Sequence, residues 1–215
     1  MKHFKLTNIV LVFFLAFLMA SNGYSQSIEI TPSYGYQFGT KLNYGPNYLK
    51  MKDSDQFGVT LGYETYDDMM IEVSYIHQGT ELRIRDNQIA PIESRVSDLA
   101  VDWIQIGSTR YFTNDNIKPF FGAGLGVAIF SPKNENYDVV NRALNSSTEF
   151  AFSFKTGVNI MFSEHVGLNL QGNLMFPVQW GGFYVSGGSG GVSSGASVSS
   201  TTIIGGFSGG LVFRN

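Results

Sequence analysis

The chain has 215 residues, a net charge of −3 and no cysteine, and only 14 % of its residues are charged. Soluble domains carry roughly 25 % charge, so the surface is unusually apolar. Disulfides, zinc–thiolate sites and thiol catalysis are excluded, and the weak net charge offers nothing that draws nucleic acid.

Residues 1–25 read as a signal peptide. The basic start MKHFK precedes the apolar run NIVLVFFLAFLMA, and Gly23 and Ser25 supply the small residues that signal peptidase requires before Gln26. The run is shorter than the roughly 20 residues a membrane helix needs. The mature domain is expected over 26–215, outside the cytoplasm and without a transmembrane helix.

From there the sequence alternates with a period of two, the mark of strands with one apolar and one polar face. The first strand sets Ile28, Ile30, Tyr34, Tyr36 and Phe38 against Glu29, Thr31, Ser33, Gly35 and Gln37. The second carries Phe57, Val59, Leu61 and Tyr63, and the third Ile71, Val73 and Tyr75. The fourth, SDLAVDWIQIGSTRYF, changes phase: Leu99, Val101 and Trp103 share one parity, Ile104 and Ile106 the other. A β-bulge near Trp103 would reconcile them. The fifth strand sets Phe121, Leu125, Val127 and Ile129 against Gly122, Gly124 and Gly126. In the sixth, EFAFSFKTGVNIMF, Phe150, Phe152 and Phe154 lie on one face, while Lys155 and Asn159 lie on the other. The seventh carries Val166, Leu168, Leu170 and Leu174 against Asn169, Gln171 and Asn173; the last carries Ile203, Phe207, Leu211 and Phe213.

Eight strands joined alternately by short turns and by long polar stretches (residues 40–53, 79–97, 131–147 and 177–200) make an antiparallel up-and-down meander. The expected fold is all-β: an eight-stranded antiparallel up-and-down transmembrane β-barrel. A soluble barrel would have to hold the apolar face inside, but eight strands enclose only enough space for modest side chains. The Gly-, Ala- and Ser-rich polar face suits that narrow interior. Strands of ten or more residues match the ~9–11 needed to cross lipid at a tilt. The short turns gather at one end and the long loops at the other, as in bacterial outer-membrane barrels.

Parity then places Glu29, Glu64, Glu72, Glu149, Lys155, Asn159, Asn169, Gln171 and Asn173 in the lumen as a polar network. A three-residue turn would set Glu64 opposite Glu72. Lys155 requires a carboxylate partner: Glu64 faces it across the ring, Glu29 and Glu149 lie toward strand ends, and the choice among them stays open. His77 lies on the apolar parity near the loop end. Gly79, rather than Ser, stands two residues on, so the nucleophile that a base serves is missing. The Gly/Ser-rich loop WGGFYVSGGSGGVSSGASVSS offers Trp180, Phe183 and Tyr184 as contact aromatics, and ELRIRDNQIAPIESR alternates as if it extends the third strand. No cofactor, metal or catalytic constellation is expected.

WIQIGSTRYF, a short turn and IKPFFGAGLGVAIF resemble the outer-membrane β-barrel domain family common in Bacteroidetes, with Gly107 where the family usually has Pro and Arg110 where it often has Lys. The ending GLVFRN resembles the C-terminal assembly signal of such barrels, with Phe213 third from the end. The resemblance implies a monomer in outer-membrane lipid, loops extracellular and termini periplasmic, with the barrel assembly machinery as a partner through the last strand. It brings no shared chemistry. A structural or interaction role with an unidentified extracellular ligand is expected first. A narrow passive channel for a small hydrophobic or ionic solute comes second, and an envelope-lipid-modifying enzyme third.

Overall fold

The computed structural model describes residues 27–65, 68–112, 116–140, 143–178, 184–188, 191–196 and 202–215. The segment read as a signal peptide lies outside them. The strands in chain order are β1 (Ile28–Gln37), β2 (Thr40–Tyr44), β3 (Asn47–Met51), β4 (Ser54–Glu64), β5 (Met69–Asp86) and β6 (Ala90–Tyr111). There follow β7 (Ile117–Lys133), β8 (Ser147–Met161), β9 (Val166–Val178), β10 (Tyr184–Gly188), β11 (Gly191–Ala196) and β12 (Ile204–Arg214).

Eight of these close a ring in the order β1, β4, β5, β6, β7, β8, β9, β12 and back to β1, every neighbour antiparallel. The circuit is staggered. From Ser27 the register passes through Glu64, Met70, Thr109, Gly122, Lys155, Asn173 and Gly206 and returns to β1 at Gln37, ten residues further along. Closure with such a stagger requires strands tilted by roughly 35–45°. Every side chain on that circuit has lumen parity.

The apolar parity faces out. Leu61, Val73, Leu125, Leu170 and Phe207 are each about half exposed, although they sit in mid-strand. Such a girdle is stable only against lipid.

Two features depart from the sequence reading. No bulge occurs near Trp103; the register of β6 with β5 and β7 is regular from Asp98 to Arg110. Leu99, Val101 and Trp103 simply face inward and are buried, whereas Ile104 and Ile106 face out. The phase change marks a stretch where the lumen itself is apolar. The irregularities lie further up the β5–β6 hairpin, between Leu82 and Arg83 and between Ile84 and Asp86.

The long stretches are also more ordered than loops. Residues 40–53 contain the β2–β3 hairpin, turned by Gly45 and Pro46. Gly45 has φ +61°, and Gly at the first central position followed by Pro fits a type II′ turn. β3 pairs with β5 beyond the barrel, Tyr48 opposite Arg85 through Met51 opposite Leu82. β5 and β6 run on together above the ring, as the alternation of Leu82 and Ile84 suggests. Their inner side covers a second apolar cluster of Ile84, Ala90, Val96 and Val139, flanked by Leu49, Leu82 and Leu144. Among the described residues β10 and β11 pair with each other in a separate two-stranded sheet.

Val73→Arg is expected to lower folding stability in lipid by about 2–4 kcal/mol, the cost of a cation on the mid-bilayer face. Ser74→Ala, one residue on and facing the lumen, should cost about 1 kcal/mol or less. Urea titration of both variants folded into lipid vesicles checks the difference.

Candidate functional site

Alternation puts small and polar residues in the lumen, and the stagger decides which of them meet. Near the short-turn end, Arg214 on β12 donates to Glu64 on β4 and to Ser27, and the Ser27 hydroxyl also donates to Glu64. One layer further in, the Tyr111 hydroxyl donates to Glu29 at 3.2 Å. Asn159 donates to the Tyr111 oxygen at 3.0 Å and to Glu29 at 3.4 Å, and Asn169 donates to Asn159 at 2.7 Å. Glu29 and Asn159 are both buried, so these bonds hold a carboxylate that water reaches poorly. Tyr111 also packs edge-on against Phe120.

At mid-height Lys155 on β8 donates to Glu72 on β5 at 2.5 Å. The strands are three apart in the ring, yet the pair forms because the wall between them is bare. The register row from Glu72 crosses Gly107 and Gly124 and arrives at Ser153, two residues from Lys155. The lysine stem lies over Gly122, where an added Cβ would come within 2.8 Å of Lys155 Cε and 2.5 Å of Thr109 Oγ1. A glycine is needed there so that the stem can cross.

Above the pair is a cavity of about 40 Å³, lined in part by Glu72, Ser74, Gln105, Ser153 and Asn173. That is room for a few waters. Both amide atoms of Asn173, and those of nearby Gln37, have no protein partner, and buried amides of this kind require water. Toward the loop end the lumen is filled by Leu99, Val101, Trp103, Met175 and Ile204, packed with Ala128 and Ala151. Trp103 is 1 % exposed. Its cross-strand neighbour is Ala128, a residue small enough to leave space for the indole.

The pairing expected from sequence is corrected in two places. Glu64 does not face Glu72: it sits opposite Met70, and Glu72 sits opposite Gly62. The turn is centred one residue earlier than that pairing requires, with the Thr65 amide bonded to the Met69 carbonyl. The partner of Lys155 is Glu72, and not Glu64, Glu29 or Glu149. Glu149 stands opposite Ala128 near the loop-end mouth, away from the network. Gln171 lines the cavity with Asn173. Parity alone could have placed Arg214 in the lumen, because Phe213 beside it faces out. Tyr111 and Trp103 carry the same signal, masked by their apolar character. Trp180 and Phe183 lie outside the described residues, and Tyr184 opens β10.

His77 belongs to the outer face. Its Nδ1 lies 2.7 Å from Asp102 Oδ1, which also accepts from the Tyr75 hydroxyl at 2.7 Å. Its ring packs on Phe57 with centroids 5.0 Å apart. Gly79 follows on that face, and the Thr80 hydroxyl bonds the Lys52 carbonyl. A base and its orienting carboxylate are present, but among the described residues no serine or threonine hydroxyl is hydrogen-bonded to His77. The arrangement suits an interfacial anchor, in which aromatic residues with polar tips mark the edge of the lipid.

The profile of a family described as "Outer membrane protein beta-barrel domain" matches residues 9–175. No curated protein matches the sequence. Among solved structures, outer membrane protein OprG from Pseudomonas aeruginosa aligns with TM-score 0.64 and 13 % identity, over 88 % of this chain and 95 % of its own. Neisserial surface protein A aligns with TM-score 0.59 and 14 % identity, over 88 % of this chain and 99 % of its own. At such identities the likeness concerns the fold.

Breaking the central ion pair tests its place in this arrangement. A buried pair is weak evidence of net stabilisation, but a lone buried charge is costly. Lys155→Met is therefore expected to lower stability by about 1–3 kcal/mol, and adding Glu72→Gln should recover much of the loss. Equilibrium unfolding of the single and double variants reads this coupling.

Proposed function

The chain belongs to the outer membrane protein beta-barrel domain family and lies in the outer membrane, and on that premise we propose that it is a surface interaction protein with a closed lumen. The observation that carries this reading is the filling of the barrel. Trp103, Val101, Met175 and Ile204 occupy the loop end, and the Lys155–Glu72 pair crosses the middle. A solute route needs a continuous path, and an enzyme needs a nucleophile beside its base. An interaction protein needs neither, and it gains from strands that continue past the membrane.

Several further features fit this role. Residues 1–25 act as a removable signal peptide. The long connections face the cell exterior and both termini face the periplasm. The chain works as a monomer and reaches the membrane through the barrel assembly machinery, which reads the last strand. The β2–β3 and β5–β6 hairpins, with the Gly/Ser-rich segment bearing Trp180, Phe183 and Tyr184, present the contact surface to an extracellular ligand.

Conductance of the purified protein in planar bilayers separates this reading from its main rival. The wild type is expected to show no steady current. Stable, voltage-independent currents would instead assign a passive route for a small ionic solute.

A further inference from the structure

Beyond the barrel, the sheet β2–β3–β5–β6 has two unlike faces. Its inner face holds Leu49, Ile84 and Val96. Its outer face is a run of cations. Lys41 stands opposite Lys50, Lys50 opposite Arg83, and Arg83 opposite Arg95, so one row across four strands is wholly basic. Arg85 follows on the same face, opposite Tyr48. Like charges set directly across strands are unfavourable. Such a row is stable only with counter-charge.

The protein supplies part of that charge. Arg83 contacts Glu81 at 2.8 Å and Glu93 at 3.4 Å, Lys52 contacts Glu81 at 3.6 Å, and Arg95 contacts Asp98 at 2.7 Å. Arg83 holds the Glu81 carboxyl below its ordinary range. The Tyr48 hydroxyl and Arg83 do so for Glu93, and Asn134 and Arg95 for Asp98. All three carboxylates are thus ionised at neutral pH. Lys41 lies over the Tyr48 ring at 3.7 Å. Among the described residues neither Lys50 nor Arg85 makes a salt-bridge contact with a carboxylate, although the charge of Lys50 also helps to hold Glu93 down.

The direction of this face identifies the occupant. On β5 the odd-numbered residues point away from the barrel axis without a break, from Ile71, Val73, Tyr75 and His77 to Glu81, Arg83 and Arg85. Even-numbered Ile84 and Asp86 stay buried. The basic face is the upward continuation of the lipid-facing wall, beyond the row of outward polar groups at His77, Asp102 and Asp55. Those carboxylates are already engaged, Asp102 by His77 and Tyr75 and Asp55 by Tyr34. The cations therefore point away from the barrel axis, on the same side as the lipid-facing wall below them.

We propose that the outer face of the β2–β3–β5–β6 sheet, centred on Lys50 and Arg85, binds the phosphate groups of anionic lipids that flank the barrel on its loop side. Basic residues near a membrane surface each favour anionic lipid by an amount on the order of five-fold in association. Arg85 offers a planar fork for phosphate, and Lys50 a point charge.

The test uses the full barrel reconstituted in phosphatidylcholine bilayers, with electron paramagnetic resonance of spin-labelled lipids. Wild type is expected to bind labelled phosphatidic acid more tightly than labelled phosphatidylcholine, by on the order of five-fold for each of the two cations, and 1 M salt should remove the preference. Lys50→Gln with Arg85→Gln should bring the ratio near one. Lys50→Glu with Arg85→Glu should push it below one, and Lys50→Arg with Arg85→Lys should keep it. Heat-modifiable gel mobility establishes that each variant is folded before it is compared. Equal binding of the two lipids by wild type, or a preference unchanged by the double glutamine variant, would overturn the proposal. So would binding of dextran sulfate by the detergent-solubilised barrel, lost in the same variant, without any lipid preference; the face would then belong to a soluble polyanion.

Discussion

Closure of the backbone hydrogen-bond ladder is the constraint on which the rest depends. Lipid offers no partner for an open strand edge, so each strand of a spanning sheet must pair on both sides. Here β1 meets both β4 and β12, and β5 meets β6, which leaves the ring without an edge. Eight strands with a ten-residue stagger define a cylinder so narrow that its interior is a packed space. The glycines, alanines and serines of the inward parity follow from that size, and the leucines and phenylalanines of the outward parity follow from the solvent.

The interior is divided along its axis. Near the short turns it is polar, with Glu29, Tyr111, Asn159 and Asn169 joined in one network and Glu64 held by Arg214. Near the loops it is apolar and centred on Trp103. Lys155 and Glu72 lie between, beside the small cavity. The division fits the proposed closed lumen, because the charged residues occupy only part of its length. The polar half accommodates water, while the apolar half excludes it. Only the loop side then remains to meet the surroundings, and there the chain devotes the β2–β3 hairpin and the extensions of β5 and β6.

Parity in the sequence was enough to identify the eight ring strands and the outward face of all but the fourth. It could not supply the pairing of Lys155. That depends on stagger, which depends on where each turn is centred, and a turn centred one residue earlier than expected after Glu64 moved Glu72 onto Gly62. Trp103 misled for another reason. The rule that apolar residues face lipid fails where the lumen has its own apolar layer, and an inward Leu99–Val101–Trp103 run then looks like a register error. The β2–β3 hairpin was visible in principle, because Gly45 and Pro46 separate two short alternating runs. It passed for a polar loop because its outer face carries Asn43, Lys41 and Lys50.

The central claim is that the apolar parity meets lipid and the polar parity meets a closed interior. The chain contains no cysteine, so single cysteines carrying a nitroxide can be placed along β9 one at a time. Collision with oxygen dissolved in the bilayer is the direct readout. Labels at Leu168, Leu170 and Leu174 are expected to show high oxygen accessibility, and labels at Asn169, Gln171 and Asn173 low accessibility, in strict alternation. A profile without that period, or one with the two parities exchanged, would contradict the account.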